Sequence, residues 1–135
     1  MWRTEIRPTG TPAVTNRWMT VFDLAPSSAQ VAAATSVNVS GSAVGTLLQS
    51  SSGNSVVIAG TAPVGTAIAS PLGYTVPAVQ TRHVITDLAP GAGYSVTVTV
   101  AGSNHTITIA QGGSSKATLN GVLTFQATPA GQVNP

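Results

Sequence analysis

The sequence predicts a single all-β domain with the architecture of an antiparallel β-sandwich. Its 135 residues, 42% of them hydrophobic, are enough for one core. Short segments alternate apolar and polar residues, and turn signals rich in Gly, Pro, Asn and Ser separate them about every 8–12 residues. Helix signals are weak, because the best candidate, residues 27–34 (SSAQVAAA), lacks a sustained apolar stripe and predicts at most one or two turns. We therefore expect roughly seven to nine strands.

The predicted strands follow from this alternation. An N-terminal strand falls within residues 1–8, and the segment WMTVFDL is the second. Later segments flank Gly-containing loops such as SSSGN, PLG and AGSN, as in hairpins. Residues 129–135 (PAGQVNP) are expected to form a disordered tail. The candidate strand segments, ten for an expected seven to nine strands, cover residues 2–6, 18–24, 46–49, 55–59, 67–70, 74–76, 82–85, 94–100, 105–110 and 118–126.

The segment ITDLAPGAGYSVTVTV narrows the fold further. Leu88, Pro90 and Tyr94 stand in a motif that resembles the L-x-P-G-x-x-Y form of fibronectin type III domains. In immunoglobulin-like and fibronectin-type sandwiches, such a Tyr turns its hydroxyl back to the backbone a few residues upstream and fixes the crossover between the sheets. The motif therefore predicts an immunoglobulin/fibronectin type III-like sandwich, with structural roles for these three residues.

The N-terminal stretch MWRTEIRPTGTPAVTNRWMTVFDL carries a second resemblance. It is similar to the start of the C-terminal β-sandwich of heparinase II/III-like polysaccharide lyases, including alginate-lyase-type enzymes. The order of segments continues to resemble that family as far as about Thr128. At Asn16 the family has an acidic residue. The matching residues are Trp2, Arg3, Glu5 and Pro8, then Trp18, Met19, Val21 and Phe22.

The resemblance implies an accessory module rather than an enzyme. In those lyases the catalytic residues lie in a helical toroid and a central sheet domain, neither of which has a counterpart in these 135 residues. We therefore expect a non-catalytic or carbohydrate-binding-type module of a secreted, bacterial polysaccharide-acting protein. Its partners would be an acidic polysaccharide and a catalytic domain of the parent protein.

Composition argues against several other classes. Five Lys and Arg residues without a cluster are too few for a nucleic-acid surface, and no apolar run approaches the ~18–20 residues of a membrane helix. The chain has no cysteine for disulfide or thiolate chemistry. Three acidic residues are few for calcium, and His83 and His105, far apart in sequence, form a weak metal pattern. We expect both histidines to face solvent or a neighbouring strand, with no cofactor and no catalytic triad.

Sugar binding usually needs exposed aromatic rings and polar side chains. The aromatic candidates are Trp2, Trp18 and Tyr74, of which Tyr74 follows a hairpin loop and is expected to be exposed. Two alternatives remain for Trp18: it forms part of the core together with Phe22, or it is a sugar platform. Trp2 is a platform or packs against a neighbouring domain. The cations that could meet polysaccharide carboxylates, since Arg binds a carboxylate in a bidentate manner, are Arg3, Arg17 and Arg82.

A second hypothesis is a structural, self-associating β domain without a small ligand. Only 6% of the residues are charged, so little repulsion opposes association of strand edges. The Ser- and Thr-rich surface is typical of secreted bacterial proteins, and we expect an extracellular or periplasmic location. No apolar signal segment follows Met1, so we expect either that the protein stays inside the cell or that the sequence was cut from a larger secreted parent.

Overall fold

The computed structural model describes residues 33–50 and 53–135. Within these ranges the chain forms ten strands and no helix, and so no helix that could cross a membrane. The strands are β1 Ala33–Val37, β2 Ala43–Ser50, β3 Gly53–Gly60, β4 Leu72–Pro77, β5 Thr81–Ile85, β6 Gly93–Ala101, β7 Asn104–Gln111, β8 Ser115–Lys116, β9 Leu123–Ala127 and β10 Val133–Asn134.

The strands form two sheets. One contains six strands in the order β1-β2-β3-β5-β9-β10, and the other contains four in the order β4-β7-β6-β8. Every pairing is antiparallel except that of β3 with β5, which is parallel. The expectation of a purely antiparallel sandwich was therefore wrong for the larger sheet. After β3 the chain crosses to the other sheet to form β4, and it returns as β5 beside β3 in the same direction.

The core lies between the two sheets, as in a β-sandwich. Alternate residues of each strand point into it, because successive side chains of a strand lie on opposite faces. Tyr74 of β4 contacts His83 of β5, which belongs to the other sheet. The buried apolar residues are Leu47, Val56, Ile58, Ile68, Leu72, Tyr74, Val76, Ile85, Leu88, Tyr94, Ile107, Ile109, Ala117, Leu123, Phe125 and Ala127.

Several predicted strands have close counterparts. The segments at 46–49 and 55–59 lie within the β2–β3 hairpin, and those at 94–100 and 105–110 lie within the β6–β7 hairpin. The predicted strands at 2–6 and 18–24 lie outside the described residues. The helix candidate at 27–34 is described only at its last two residues, and these belong to β1.

Other expectations differ from the structure. Residues 67–70 form no strand, and the last predicted strand, 118–126, begins only at Leu123 because 118–121 form a turn. The expected disordered tail at 129–135 contains β10, which pairs with β9. The sequence patterns did not indicate β1 at all. Its short segment AATSV is exposed along most of its length and has no apolar alternation to reveal it.

Tyr94 links the two sheets. Its hydroxyl accepts a hydrogen bond of 2.9 Å from the backbone N–H of Ala89, five residues upstream in the segment that leaves β5. This is the contact expected of a tyrosine corner. Leu88 and Tyr94 are both buried, whereas Pro90 is exposed at the turn. The corner thus joins the start of β6 to the chain that arrives from the larger sheet.

Candidate functional site

Arg82 lies on the outer face of the larger sheet. Its neighbours His83 and Thr81 point into the core, so alternation along β5 directs Arg82 outward, where it is exposed. Ser55 of β3 and Gln126 of β9 are its register partners on the two adjacent strands. Residues in register share a face, and the three side chains therefore form one polar row across three strands.

Two grooves meet at this row. The larger, of about 450 Å³, also takes in the end of the β2–β3 hairpin and the residue before β5, and a second groove of about 240 Å³ lies toward β9 and the C-terminal residue. Arg82 and Gln126 line both. The larger groove is lined by Ser50, Gly53, Asn54, Ser55, Gln80, Arg82 and Gln126, and the smaller by Arg82, Thr124, Phe125, Gln126 and Pro135.

The guanidinium of Arg82 makes no ion pair with any acidic residue that the structure describes. The acidic residue within the described ranges is Asp87, whose carboxylate is bound to the backbone N–H of Gly60 and the hydroxyl of Thr86. The larger groove beside Arg82 offers amide and hydroxyl groups and no acidic side chain, and the smaller groove extends to Pro135, the last residue of the sequence. A cation in such a setting can bind an anionic group from outside the chain.

The chemistry of the groove suits an anion that carries hydroxyl groups. A guanidinium presents a planar fork of donors that matches a carboxylate or sulfate. The amides of Gln80 and Gln126 each provide both donors and acceptors, which suits hydroxyl groups. No aromatic ring stands exposed beside them, since Tyr74, Tyr94 and Phe125 of the described chain are all buried.

The structure separates the predicted site residues. Arg82 is exposed in the groove, whereas Trp2, Arg3, Arg17 and Trp18 lie outside the described residues. The expectation that Tyr74 is an exposed platform was wrong: the side chain is 3% exposed and its hydroxyl bonds to Nδ1 of His83 over 2.9 Å. β4 begins at Leu72, so the PLG segment that was interpreted as a hairpin loop is partly a strand. Residues 72, 74 and 76 alternate with more exposed residues along this strand and point into the core.

The structure decides between the two positions expected for the histidines. His83 and His105 were expected to face solvent or a neighbouring strand, and both are fully buried with register partners on adjacent strands. Burial is the larger cause and the Coulombic effect of His105 the smaller, and together they lower the pKa of His83 to about 4. The described residues contain no cluster of three or more His, Asp, Glu or Cys side chains that could hold a metal ion.

Gln80, Gln126 and Asn54 were not identified from the sequence. Asn54 and Gln126 line the groove beside Arg82 because β5 pairs with both β3 and β9, whereas Gln80 directly precedes β5 in the chain. The parallel β3–β5 pairing joins segments that the whole of β4 separates. Arg82 itself was identified from the sequence only as a cation that could meet a polysaccharide carboxylate.

Comparisons with known proteins identify no relative of this chain. No family model matches the chain. No curated protein and no solved structure shows significant similarity to it. The function must therefore be argued from the groove itself.

Proposed function

We propose that this chain is a non-catalytic module that binds an acidic polysaccharide through the groove at Arg82. The observation that carries the proposal is the exposed guanidinium, which lies between two polar grooves and has no carboxylate partner in the described ranges. The ligand class is a polymer with carboxylate or sulfate groups, such as a uronic-acid polymer.

The groove supplies one charged contact and several neutral ones. A charge-assisted hydrogen bond contributes about 1.5–3 kcal/mol, roughly twice a neutral one. Ser55 and Gln126 flank Arg82 in register and extend the polar row over about 10 Å, from the spacing of neighbouring strands. A row of that length spans about two sugar units and fits a repeating polymer better than a small anion.

Affinity electrophoresis tests this proposal. The full chain is run through gels that contain alginate, heparin, pectin, neutral xylan or no polymer. Arg82→Ala is compared with Lys116→Ala, which removes the same charge from the edge of the other sheet. We expect an acidic polymer to retard the wild type and Lys116→Ala equally, and to retard Arg82→Ala much less.

Each alternative result has a defined meaning. If the wild type migrates freely through every gel, the module does not bind these polymers. If both variants lose the same small amount of retardation, net charge rather than the groove is responsible. Retardation by xylan that survives Arg82→Ala would indicate a neutral sugar at another site.

The same proposal includes a catalytic domain that this module accompanies. We infer that the module accompanies a catalytic domain of a secreted polysaccharide-acting protein, in line with the resemblance of its N-terminal motif to lyase sandwiches. The Tyr94 corner supports an assignment to the fibronectin type III-like sandwiches, here in a sheet of order β4-β7-β6-β8.

One observation favours self-association as a second candidate function. β1 pairs with β2 along one edge, and no described strand pairs with its other edge. Its sequence AATSV has neither charge nor Pro, the two features that usually protect an edge strand. Sedimentation velocity on the wild type and Thr35→Lys tests this: a dimer that the variant abolishes supports it, and a concentration-independent monomer rejects it.

A further inference from the structure

Two imidazoles from opposite sheets are buried in the core of this domain. His83 belongs to β5 of the six-stranded sheet and His105 to β7 of the four-stranded sheet, and each is 0% exposed. Tyr74 contacts the first of them, since its hydroxyl lies 2.9 Å from Nδ1 of His83. Tyr74 is also close to His105, because the register partner of His105 is Val76, two residues along β4 on the same face.

The hydrogen bonds fix part of the protonation pattern. Nε2 of His105 lies 3.1 Å from the carbonyl oxygen of Pro129. A carbonyl can only accept, so this nitrogen carries the proton, and in a neutral ring Nδ1 of His105 is then an acceptor. Nδ1 of His105 and Nε2 of His83 are both buried and have no hydrogen-bond partner among the described residues.

The surroundings of His83 leave little to stabilise a charge. Phe125 of β9 stacks on the ring, with centroids 4.6 Å apart and planes 8° from parallel, and Val56 of β3 is its register partner on the other side. Within the described chain, the titratable groups that face it are Tyr74 of β4 and His105 of β7. Arg82 points to the opposite face of β5.

We propose that Tyr74, His83 and His105 form an acid-sensitive latch between the two sheets. With both rings neutral, Tyr74 donates to Nδ1 of His83, Nε2 of His83 carries the proton, and His105 donates to the Pro129 carbonyl. A proton added to Nδ1 of His83 forces the Tyr74 hydroxyl to turn from donor to acceptor, and it places a positive charge in an apolar core that also contains His105. Acid therefore weakens the contact that holds the sheets together.

The direction of the pH effect follows from the two states of the chain. In the unfolded chain the pKa of His83 is the ordinary 6.5, and in the folded domain burial lowers it to about 4. Between these values the unfolded chain binds more protons, so stability falls as pH drops through the window. The shift corresponds to a loss of up to about 300-fold in the folding equilibrium constant, about half of that factor at pH 4 and all of it only below pH 4.

Urea unfolding of the full chain between pH 4 and 7.5 tests the latch. The double variant His83→Phe/Tyr74→Phe removes the titrating ring and leaves no hydroxyl without a partner. Tyr94→Phe is the matched control, because it also removes one buried hydroxyl with a 2.9 Å hydrogen bond. Between pH 7.5 and 4 we expect the folding equilibrium constant of the wild type to fall by a factor at least ten times larger than that of the double variant. The constant of Tyr94→Phe should fall by the same factor as that of the wild type.

Nitrogen NMR of the wild type keeps the proposal falsifiable if the double variant does not fold. We expect His83 to remain neutral, with the proton on Nε2, from pH 7.5 down to the onset of unfolding. Titration of His83 near pH 6.5 in the folded domain would overturn the latch, as would a proton on Nδ1 of neutral His83. An identical pH dependence of the wild type and the double variant would do so as well.

Discussion

The carboxylate of Asp87 accepts a hydrogen bond from the backbone N–H of Gly60, 27 residues earlier in the chain, over 3.0 Å. Asp87 adopts a left-handed backbone conformation with φ of 57°, and its own carbonyl accepts a hydrogen bond of 2.7 Å from the N–H of Ile68. One exposed residue therefore connects the end of β3, the loop that follows β3 and the turn after β5.

Replacement of Asp87 by Ala should lower the free energy of unfolding by about 2–3 kcal/mol. The variant loses a hydrogen bond to a charged acceptor and places Ala in a left-handed conformation that Asp and Asn tolerate better. Asp87→Asn keeps an oxygen acceptor and should cost less than half as much. Urea denaturation at pH 7 measures both variants, and equal losses for Ala and Asn would contradict the role of the side-chain oxygen.

Replacement of Tyr94 by Phe tests the corner. The variant keeps the buried ring and leaves the N–H of Ala89 without its acceptor, at a cost of about 1–3 kcal/mol. The urea midpoint at pH 7 should fall while the dependence on denaturant stays constant, because the surface exposed on unfolding does not change. An unchanged midpoint would show that the hydroxyl is not needed to join β6 to the larger sheet.

Gly121, in the turn before β9, occupies a position where a larger residue should be costly. Its φ is +71°, and a Cβ at this position would collide with the carbonyl oxygen of Leu88. Gly121→Ala should therefore destabilise the domain by more than about 3 kcal/mol or prevent folding, since backbone atoms have to move. Gly102→Ala is the control: its φ of +60° is similar, but no atom lies within 4 Å of the added Cβ.

The Gly102 control isolates the collision from the cost of the left-handed conformation. That conformation alone should cost Gly102→Ala about 1–2 kcal/mol. Thermal unfolding followed by circular dichroism measures both variants. Equal decreases in melting temperature would mean that the Leu88 segment moves aside without penalty.

Local patterns in the sequence predicted much of the fold. The alternation from Tyr94 to Val100 and the Gly-containing loop after it were sufficient to predict the β6–β7 hairpin, because both strands and their turn are adjacent in the chain. The Leu88–Tyr94 motif predicted a bond from the Tyr94 hydroxyl to the backbone a few residues upstream for the same reason. The partner, Ala89, is five residues away in the chain. Interactions that close within a few residues leave their signature in one segment.

The candidate site depends on pairings that no single segment records. Arg82 meets Gln126 because β5 pairs with β9, and Asn54 reaches the same groove because β3 runs parallel to β5. The burial of His83 and Tyr74 has the same origin, since each polar group is buried only where the opposite sheet supplies its partner. A histidine between Arg82 and Val84 on a short strand is compatible with either face until that partner is known.

Replacement of Arg82 by Lys should separate charge from geometry in the proposed polysaccharide groove. Lys keeps the positive charge but lacks the planar fork that binds a carboxylate through two parallel hydrogen bonds. We expect the apparent affinity for the acidic polymer to fall about tenfold in Arg82→Ala and about threefold in Arg82→Lys, as roughly half of a charge-assisted contact is retained. Retardation in gels of graded polymer concentration measures these affinities. Full affinity in Arg82→Lys would show that the groove attracts the polymer by charge alone, without a bidentate contact.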